Sequence, residues 1–176
     1  MTNEVFGRPI KGDINHYTGA LPEQENPEKF IEALDKLLDH PMVSKVRWTQ
    51  YTPYFNDGEA CEFSSHGAEV SLVGLEAGEE GLETDEGKWY DEGDEVFLGE
   101  YDMYTYKYGD DGRIDYDAGR QYVVGGVDTT DVATALAEFE GALNAHHYVW
   151  LNETFGDPAE VTATKDGFEV EHYEHD

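Results

Sequence analysis

The sequence predicts a single α+β domain, spanning residues 1–176, in which a mostly antiparallel sheet carries two main helices packed on one face. Two observations lead to this fold class. Apolar residues recur at the three- and four-residue spacing of a helix in two segments, and they alternate with polar residues in several shorter segments. The chain has 176 residues, of which 39% are hydrophobic, so it is long and apolar enough to bury a core.

The first predicted helix follows an N-terminal stretch, residues 1–25, that predicts an extended arm lying over the domain because glycine and proline interrupt its few apolar residues. Asn26 is a good N-cap, and Pro27 suits the first helical position. An apolar stripe then runs to Pro41, which ends the helix. The stripe comprises Phe30, Ile31, Leu34, Leu37 and Leu38.

A strand is predicted from Val43 to Tyr54, where the hydrophobic period changes to two. Residues 56–58, Asn-Asp-Gly, tolerate positive φ and predict a reversal, and the chain returns through residues 60–64. A second reversal at His66 and Gly67 leads into residues 70–73. The three segments predict an antiparallel meander.

The segment 75–119 is an acidic insert with 16 Asp and Glu against three Lys and Arg. Aromatic residues are embedded in it, so we expect loops and one or two strands rather than a disordered tail. Its carboxylates and tyrosines are the candidate contacts for a partner. These are Glu79, Glu80, Glu83, Asp85, Glu86, Asp91, Glu92, Asp94, Glu95, Tyr101 and Tyr104.

The last third of the chain predicts a strand at residues 121–124, a long helix and a hairpin. Thr129 or Thr130 caps the helix, whose apolar stripe continues through His146 to Trp150, with Gly141 in its interior at a cost of roughly 1 kcal/mol relative to Ala. Residues 156–158 end it. In the hairpin, residues 161–163 and 168–170 flank a two-residue turn, residues 166–167.

Charge decides which classes of partner are compatible with this chain. It has 40 Asp and Glu against 11 Lys and Arg, a net charge of −29. Nucleic acid and anionic lipid should repel such a protein, whereas basic protein surfaces should attract it. We therefore expect no direct nucleic-acid binding, no membrane association and a basic protein partner.

The chain contains no recognisable catalytic motif. Cys61 and His66 suggest a nucleophile and base, but a half-buried structural cysteine is the simpler interpretation. His146 suits a core or interface position, and the acidic turn at residues 109–117 departs from a calcium loop at two required positions. We predict no catalytic, cofactor or metal residues, and the lone cysteine indicates a reducing cytoplasm. The N-terminus lacks a signal-peptide core, and no stretch is apolar enough to span a membrane.

Two stretches resemble a family of small uncharacterised proteins of tailed bacteriophages and prophages. They are residues 47–63, RWTQYTPYFNDGEACEF, and residues 155–176, FGDPAEVTATKDGFEVEHYEHD. The most specific part is the aromatic run Tyr51, Tyr54 and Phe55 before Asn-Asp-Gly. The resemblance implies a virus-encoded protein that acts inside a bacterium, and it carries no known activity or site residues.

Three functions are compatible with these observations. The leading hypothesis is a non-enzymatic protein whose acidic surface binds a basic host protein in the manner of a DNA mimic, with DNA-binding and nucleic-acid-processing proteins as the candidate partners. The alternative is a scaffold or assembly module with apolar contacts, whose charge serves solubility or adaptation to high salt. A third hypothesis, a metal-dependent or cysteine hydrolase, rests on Cys61 and the histidines alone.

Overall fold

The structure is a computed structural model, and it describes residues 4–14, 22–54, 58 and 61–174. Its helices are α1 (Pro27–Leu38), α2 (Thr130–Glu140) and α3 (Tyr148–Phe155), and single 3-10 turns occupy Glu100–Asp102, Tyr116–Ala118 and Ala145–His147. The strands of this part of the chain are β1 (Glu4–Val5), β2 (Arg8–Lys11), β3 (Val43–Tyr51), β4 (Ser64–Ser65), β5 (Glu69–Leu72), β6 (Leu82–Glu83), β7 (Trp89–Tyr90), β8 (Thr105–Tyr106), β9 (Arg120–Gln121), β10 (Val123–Val124), β11 (Val127–Asp128), β12 (Ala159–Thr164) and β13 (Gly167–Glu171).

The central sheet has the strand order β1-β2-β13-β12-β3, and β4 and β5 pair with the remaining edge of β3. All pairs are antiparallel except β13 with β2. The predicted meander is wrong in its last step, because β5 pairs with β3 and not with the returning segment. Both strands pair with the same edge of β3: β4 pairs with residues 50–51, and β5 pairs with residues 43–47. The predicted reversal at residues 56–58 falls mostly outside the described residues.

The N-terminal residues belong to the sheet. The predicted extended arm is wrong for residues 4–11, because β1 and β2 form an edge of the sheet and β2 runs parallel to β13. Gly12 follows β2 with φ +119°, and a Cβ there would lie 1.7 Å from the carbonyl oxygen of Val170. Only glycine allows this approach. Most of the remaining arm, residues 1–3 and 15–21, lies outside the described residues.

All three helices pack on one face of the sheet, around Trp48 of β3. Its indole ring is 1% exposed. The ring centroids of Phe30 from α1, Phe139 from α2 and Phe155 from α3 lie 5.7, 5.9 and 5.6 Å from it. The predicted α+β class, with a mostly antiparallel sheet and helices on one face, is confirmed, although three helices replace the predicted two.

The first helix forms as its sequence predicts. The Asn26 side chain accepts a hydrogen bond from the backbone N–H of Glu28 at 2.9 Å, and Pro27 occupies the first helical position. The entire predicted apolar stripe, Phe30 to Leu38, is buried. Local capping and spacing were sufficient signals here, because both act within a single segment.

The second predicted helix is broken into α2 and α3. Asn144 lies at the break, where its side chain accepts from the backbone N–H of His146 at 2.9 Å and donates to the carbonyl of Gly141 at 2.8 Å. The break turns the following residues, so His147 is buried and His146 is exposed. Of the two positions predicted for His146, core or interface, the core position is wrong. Gly141 itself has helical backbone angles, φ −61° and ψ −21°.

The start of α2 also differs from the prediction. Thr129 is fully buried, and its hydroxyl donates to the carbonyl of Met103 instead of capping the helix. Asp128 caps the helix instead. Its carboxylate accepts from the backbone N–H and the hydroxyl of Thr130, at 2.9 and 2.7 Å, and these bonds lower the pKa of Asp128.

The C-terminal hairpin is confirmed with a one-residue shift. Thr164 pairs with Gly167, so Lys165 and Asp166 form the loop and Gly167 begins β13. The strand predicted at residues 121–124 is interrupted at Tyr122, and its halves join different two-stranded pairs, β8 with β9 and β10 with β11. Gly125 and Gly126 form the turn between β10 and β11.

None of the helices in the described ranges combines the length and apolarity needed to cross a membrane.

Candidate functional site

Residues 95–97 of the acidic insert pack on the sheet face opposite the helices, whereas Glu100–Asp102 lie beside α2. Because side chains alternate along β3, Lys45 and Arg47 point away from the Trp48 face. Lys45 forms an ion pair with Glu95 at 2.7 Å, and the Arg47 guanidinium carbon lies 3.8 Å from the centre of the Phe97 ring. The backbones of residues 70 and 98 exchange two hydrogen bonds of 2.9 Å. The insert is therefore folded against the sheet.

A network of charged side chains lies beneath the insert. Arg47 contacts Glu69 at 3.0 Å and Glu160 at 3.9 Å. Lys88 contacts Glu69 and, at 2.8 Å, Asp102. The Asp102 side chain is only 4% exposed, which makes its pair with Lys88 far less solvated than an ordinary surface pair.

The charge of Lys88 is held in place by its partners. Burial alone would lower the pKa of Lys88, but hydrogen bonds to Asp102 and Glu69 outweigh that effect and raise the pKa. Lys88 is one of only three basic residues in the insert. Its ion pair with Glu69 anchors the insert to β5.

A cavity of about 440 Å³ opens beside this network, between the insert, the segment before β5 and the end of α2. Its volume falls within the roughly 300–1,000 Å³ typical of ligand sites. Charged and polar side chains line it together with small residues. The lining consists of Ser65, His66, Gly67, Ala68, Glu69, Glu86, Lys88, Gly99, Glu100, Tyr101, Asp102, Glu140 and Leu143.

Two carboxylates in the cavity wall are held by the backbone. Asp102 Oδ2 accepts from the N–H of Gly99 at 2.8 Å, and Glu140 Oε1 accepts from the N–H of Ala68 at 3.1 Å. Burial raises the pKa of Glu140, and the nearby charge of Glu100 raises it further. The cavity therefore holds negative charge that its own walls do not fully compensate.

No family model, curated protein or solved structure matches this chain. The resemblance to phage proteins at residues 47–63 and 155–176 therefore stays a prediction. Any argument for function has to come from the geometry of the chain itself.

Six of the eleven predicted contact residues line two cavities. Glu86 and Tyr101 line the cavity described above. A second cavity of about 770 Å³ lies elsewhere on the insert and has Glu79, Glu92, Asp94 and Glu95 in its wall. The insert therefore presents its charge at two places.

The other predicted contact residues have individual roles. Glu80 and Glu83 are exposed. Asp85 accepts from the backbone N–H of Tyr106 at 3.2 Å, and Asp91 accepts from the indole N–H of Trp89 at 2.8 Å, so these two carboxylates also stabilise loops.

Tyr104 does not fit the predicted role of a surface contact, because it is only 7% exposed. Its ring packs edge-on against Tyr106 and Tyr122, and the guanidinium of Arg120 lies 4.2 Å from its centre. Burial raises the pKa of the Tyr104 hydroxyl. Tyr104 thus supports the surface from within.

The residues considered for hydrolytic chemistry lie in environments that are typical of structural residues. Cys61 is half-buried with a free thiol. The His66 ring stacks on Tyr51 with a centroid distance of 4.2 Å. Within the described ranges, no group of three or more His, Cys, Asp and Glu side chains has a geometry that could hold a metal ion.

Sequence reasoning missed Lys88, Asp102 and Glu140 as members of one site. The sequence carries a signal for Lys88, because a basic residue surrounded by acidic residues is expected to pair with carboxylates when it is partly buried. Glu140 had none, because it is 72 residues from Ala68, the residue whose N–H it accepts.

Proposed function

We propose that this protein is a non-enzymatic, phage-type interaction protein whose acidic insert, residues 75–119, binds a basic host protein in the manner of a DNA mimic. One observation carries the proposal. Of the insert's 16 carboxylates, only Glu95 and Asp102 form an ion pair with a residue in the described part of the chain. The rest present uncompensated negative charge on a folded surface.

Electrostatics favours a basic protein over the other classes of partner. A net charge of −29 repels phosphate backbones and anionic lipid headgroups. The same field accelerates the encounter with a positively charged protein, by a factor of roughly 10 to 1,000 at low ionic strength. The attraction is screened over about 10 Å at 0.1 M salt, so the binding should weaken steeply as salt rises.

Exposed aromatic rings on the insert add a second contact mode. Trp89, Tyr101, Tyr108 and Tyr116 are 56, 59, 65 and 73% exposed. Arg and Lys side chains stack favourably on such rings, with contributions of roughly 0.5–1 kcal/mol at exposed sites. A surface that combines carboxylates with ring faces suits a partner rich in arginine and lysine.

The test compares two variants that lose the same charge. The first replaces the exposed glutamates Glu79, Glu80, Glu83 and Glu92 of the insert with Gln. The control replaces Glu32, Glu153, Glu169 and Glu171, which are exposed elsewhere on the chain, in the same way. The intact chain and both variants are used to capture proteins from a bacterial lysate at about 0.05 and 0.5 M NaCl.

We expect a basic protein that the intact chain and the control retain at low salt, and that the insert variant loses. Titration of the purified partner should show on the order of tenfold weaker binding by the insert variant. If both variants lose the partner to the same extent, net charge alone accounts for the binding. A partner indifferent to salt and to both variants, held by apolar contacts, would instead favour the scaffold or assembly module.

A further inference from the structure

The cavity of about 440 Å³ beside Lys88 has a wall dominated by negative charge. Five carboxylates line it, against one lysine and one histidine. Lys88 is committed to two of the five, Glu69 and Asp102. The other three have no ion pair with any residue of the described ranges: Glu86, Glu100 and Glu140.

Two residues that line the cavity each hold a buried polar atom that lacks a hydrogen-bond partner. Asp102 Oδ1 and Ser65 Oγ are shielded from solvent, and neither has a partner among the described residues. A buried polar atom left without a partner costs roughly 1–3 kcal/mol, more if it is charged. Most such atoms in folded proteins are satisfied, and the exceptions often mark a ligand or water site.

We propose that this cavity binds the guanidinium group of an arginine side chain that the basic partner presents. The inference rests on the proposed function, because the basic partner supplies the arginine. The chemistry of recognition follows from the cavity alone. It assigns a specific pocket to one residue of the partner, in addition to the general attraction of the insert surface.

A guanidinium group fits this wall better than an ammonium group. It carries five N–H donors in a plane, enough to reach several carboxylate oxygens at once, and it loses less hydration when buried. Charge-assisted bonds of this kind are about twice as strong as neutral ones. Lys88 already supplies one ammonium group to Glu69 and Asp102. The carboxylates that Lys88 does not contact belong to separate elements of the cavity wall.

The remaining lining suits the rest of an arginine side chain. Leu143 offers apolar surface to its methylene stem, and the exposed ring of Tyr101 lies at the same cavity. A cation that enters the cavity would also lower the raised pKa of Glu140, because it stabilises the ionised carboxylate.

The experiment titrates the isotope-labelled full chain with blocked single amino acids and follows backbone amide NMR signals. The probes are N-acetyl-arginine amide, the same derivative of citrulline, which is neutral and of similar shape, and the same derivative of lysine. We expect the arginine probe to bind with a Kd on the order of 1 mM and to shift the signals of residues 65–69 and 99–102. Citrulline and lysine should bind about tenfold or more weakly.

Two variants test the wall without removing the buried ion pair. Glu100→Gln and Glu140→Gln remove charge and retain an acceptor oxygen, so the hydrogen bond from Ala68 is preserved. Each should weaken the arginine probe about tenfold. Glu79→Gln and Glu92→Gln, at the second cavity, are the matched controls and should leave its affinity unchanged.

Four results would overturn the inference. Equal binding of arginine and citrulline would remove the charge recognition, and equal binding of arginine and lysine would remove the guanidinium preference. Shifts that map outside the cavity, or an affinity unaffected by Glu100→Gln and Glu140→Gln, would place the probe elsewhere.

The two proposals fail separately. The insert variant used for the proposed function leaves every cavity residue intact, so loss of the partner there does not report on the cavity. A basic partner that binds as before to Glu140→Gln, with no response to the arginine probe, would overturn the cavity inference alone. A specific response to the probe without any basic partner would overturn the proposed function alone.

Discussion

His147 shows how the environment of a single residue changes its chemistry. Its side chain is 2% exposed and packs 5.8 Å from the ring centre of Phe30. Nε2 lies 3.5 Å from a carboxylate oxygen of Glu25, and Nδ1 is buried without a hydrogen-bond partner among the described residues. Burial lowers the pKa of His147, and the attraction of Glu25 only partly offsets it.

This predicts a loss of stability in mild acid. Below its ordinary pKa of about 6.5, histidine takes up a proton more readily in the unfolded chain than in the folded one. The stability contributed by the neutral ring is therefore present above about pH 6.5 and is lost as pH falls toward the folded-state pKa. His147→Gln should flatten the decline in unfolding free energy between about pH 7 and 5.5, measured by urea denaturation.

The exposed neighbour provides the control, because His146→Gln makes the same chemical change outside the core. Its pH dependence should stay closer to that of the unaltered chain than the pH dependence of His147→Gln does, because His146→Gln removes only a neighbouring charge that lowers the pKa of His147. If His147→Gln and the unaltered chain show the same slope, the burial of His147 does not govern acid stability.

At the scale of elements, the break between α2 and α3 illustrates why an apolar stripe is an incomplete guide. The stripe continues through the break, and the backbone departs from helical angles at Asn144, with φ −139° and ψ 169°. The Asn144 side chain satisfies one group on each side of the break. A helix end with satisfied backbone groups is stable even where the hydrophobic pattern would allow the helix to continue.

Asn144→Ala should destabilise the protein by about 1 kcal/mol or somewhat more, because it removes both side-chain hydrogen bonds. Asn144→Asp keeps the acceptor for His146 and loses the donor to Gly141, so its cost should be smaller. Gly141→Ala should change the unfolding free energy by less than about 0.5 kcal/mol, because the gain from alanine at helical angles is offset by the close approach of its Cβ, 3.3 Å from the carbonyl oxygen of Glu138. Urea denaturation of the three variants measures the order, and a larger effect at Gly141 would contradict this explanation.

At the scale of the whole molecule, self-repulsion opposes folding. The net charge of −29 far exceeds what the few ion pairs between described residues offset, and three of those pairs, Lys29–Glu25, Lys36–Glu138 and Lys165–Asp39, are solvent-exposed and worth less than about 1 kcal/mol each. Screening by salt should therefore stabilise the protein, because it weakens the many repulsions more than it weakens the few attractions.

We expect the melting temperature to rise between about 0.05 and 1 M NaCl, where the screening length falls from more than 10 Å to about 3 Å. The insert variant and its control, which lose equal charge, should both be more stable than the intact chain at low salt and should converge with it at high salt. Calorimetry measures this. A melting temperature that falls with salt would show that the ion pairs outweigh the repulsion.

The sequence by itself determined the features that depend on short stretches of chain. The cap at Asn26, the buried stripe of α1 and the hairpin of β12 and β13 follow from signals within about a dozen residues. Composition alone determined the acidity, and with it the classes of partner that are electrostatically compatible.

Only the tertiary structure decided which distant residues meet. Gln50 donates to the carbonyls of Leu151 and Gly156, more than 100 positions away, and β5 takes an edge of β3 that the meander assigned to another segment. The cavity likewise joins Lys88, Asp102 and Glu140 from separate elements. Such contacts depend on competition between segments for the same edge or partner, and a local pattern carries no information about which competitor wins.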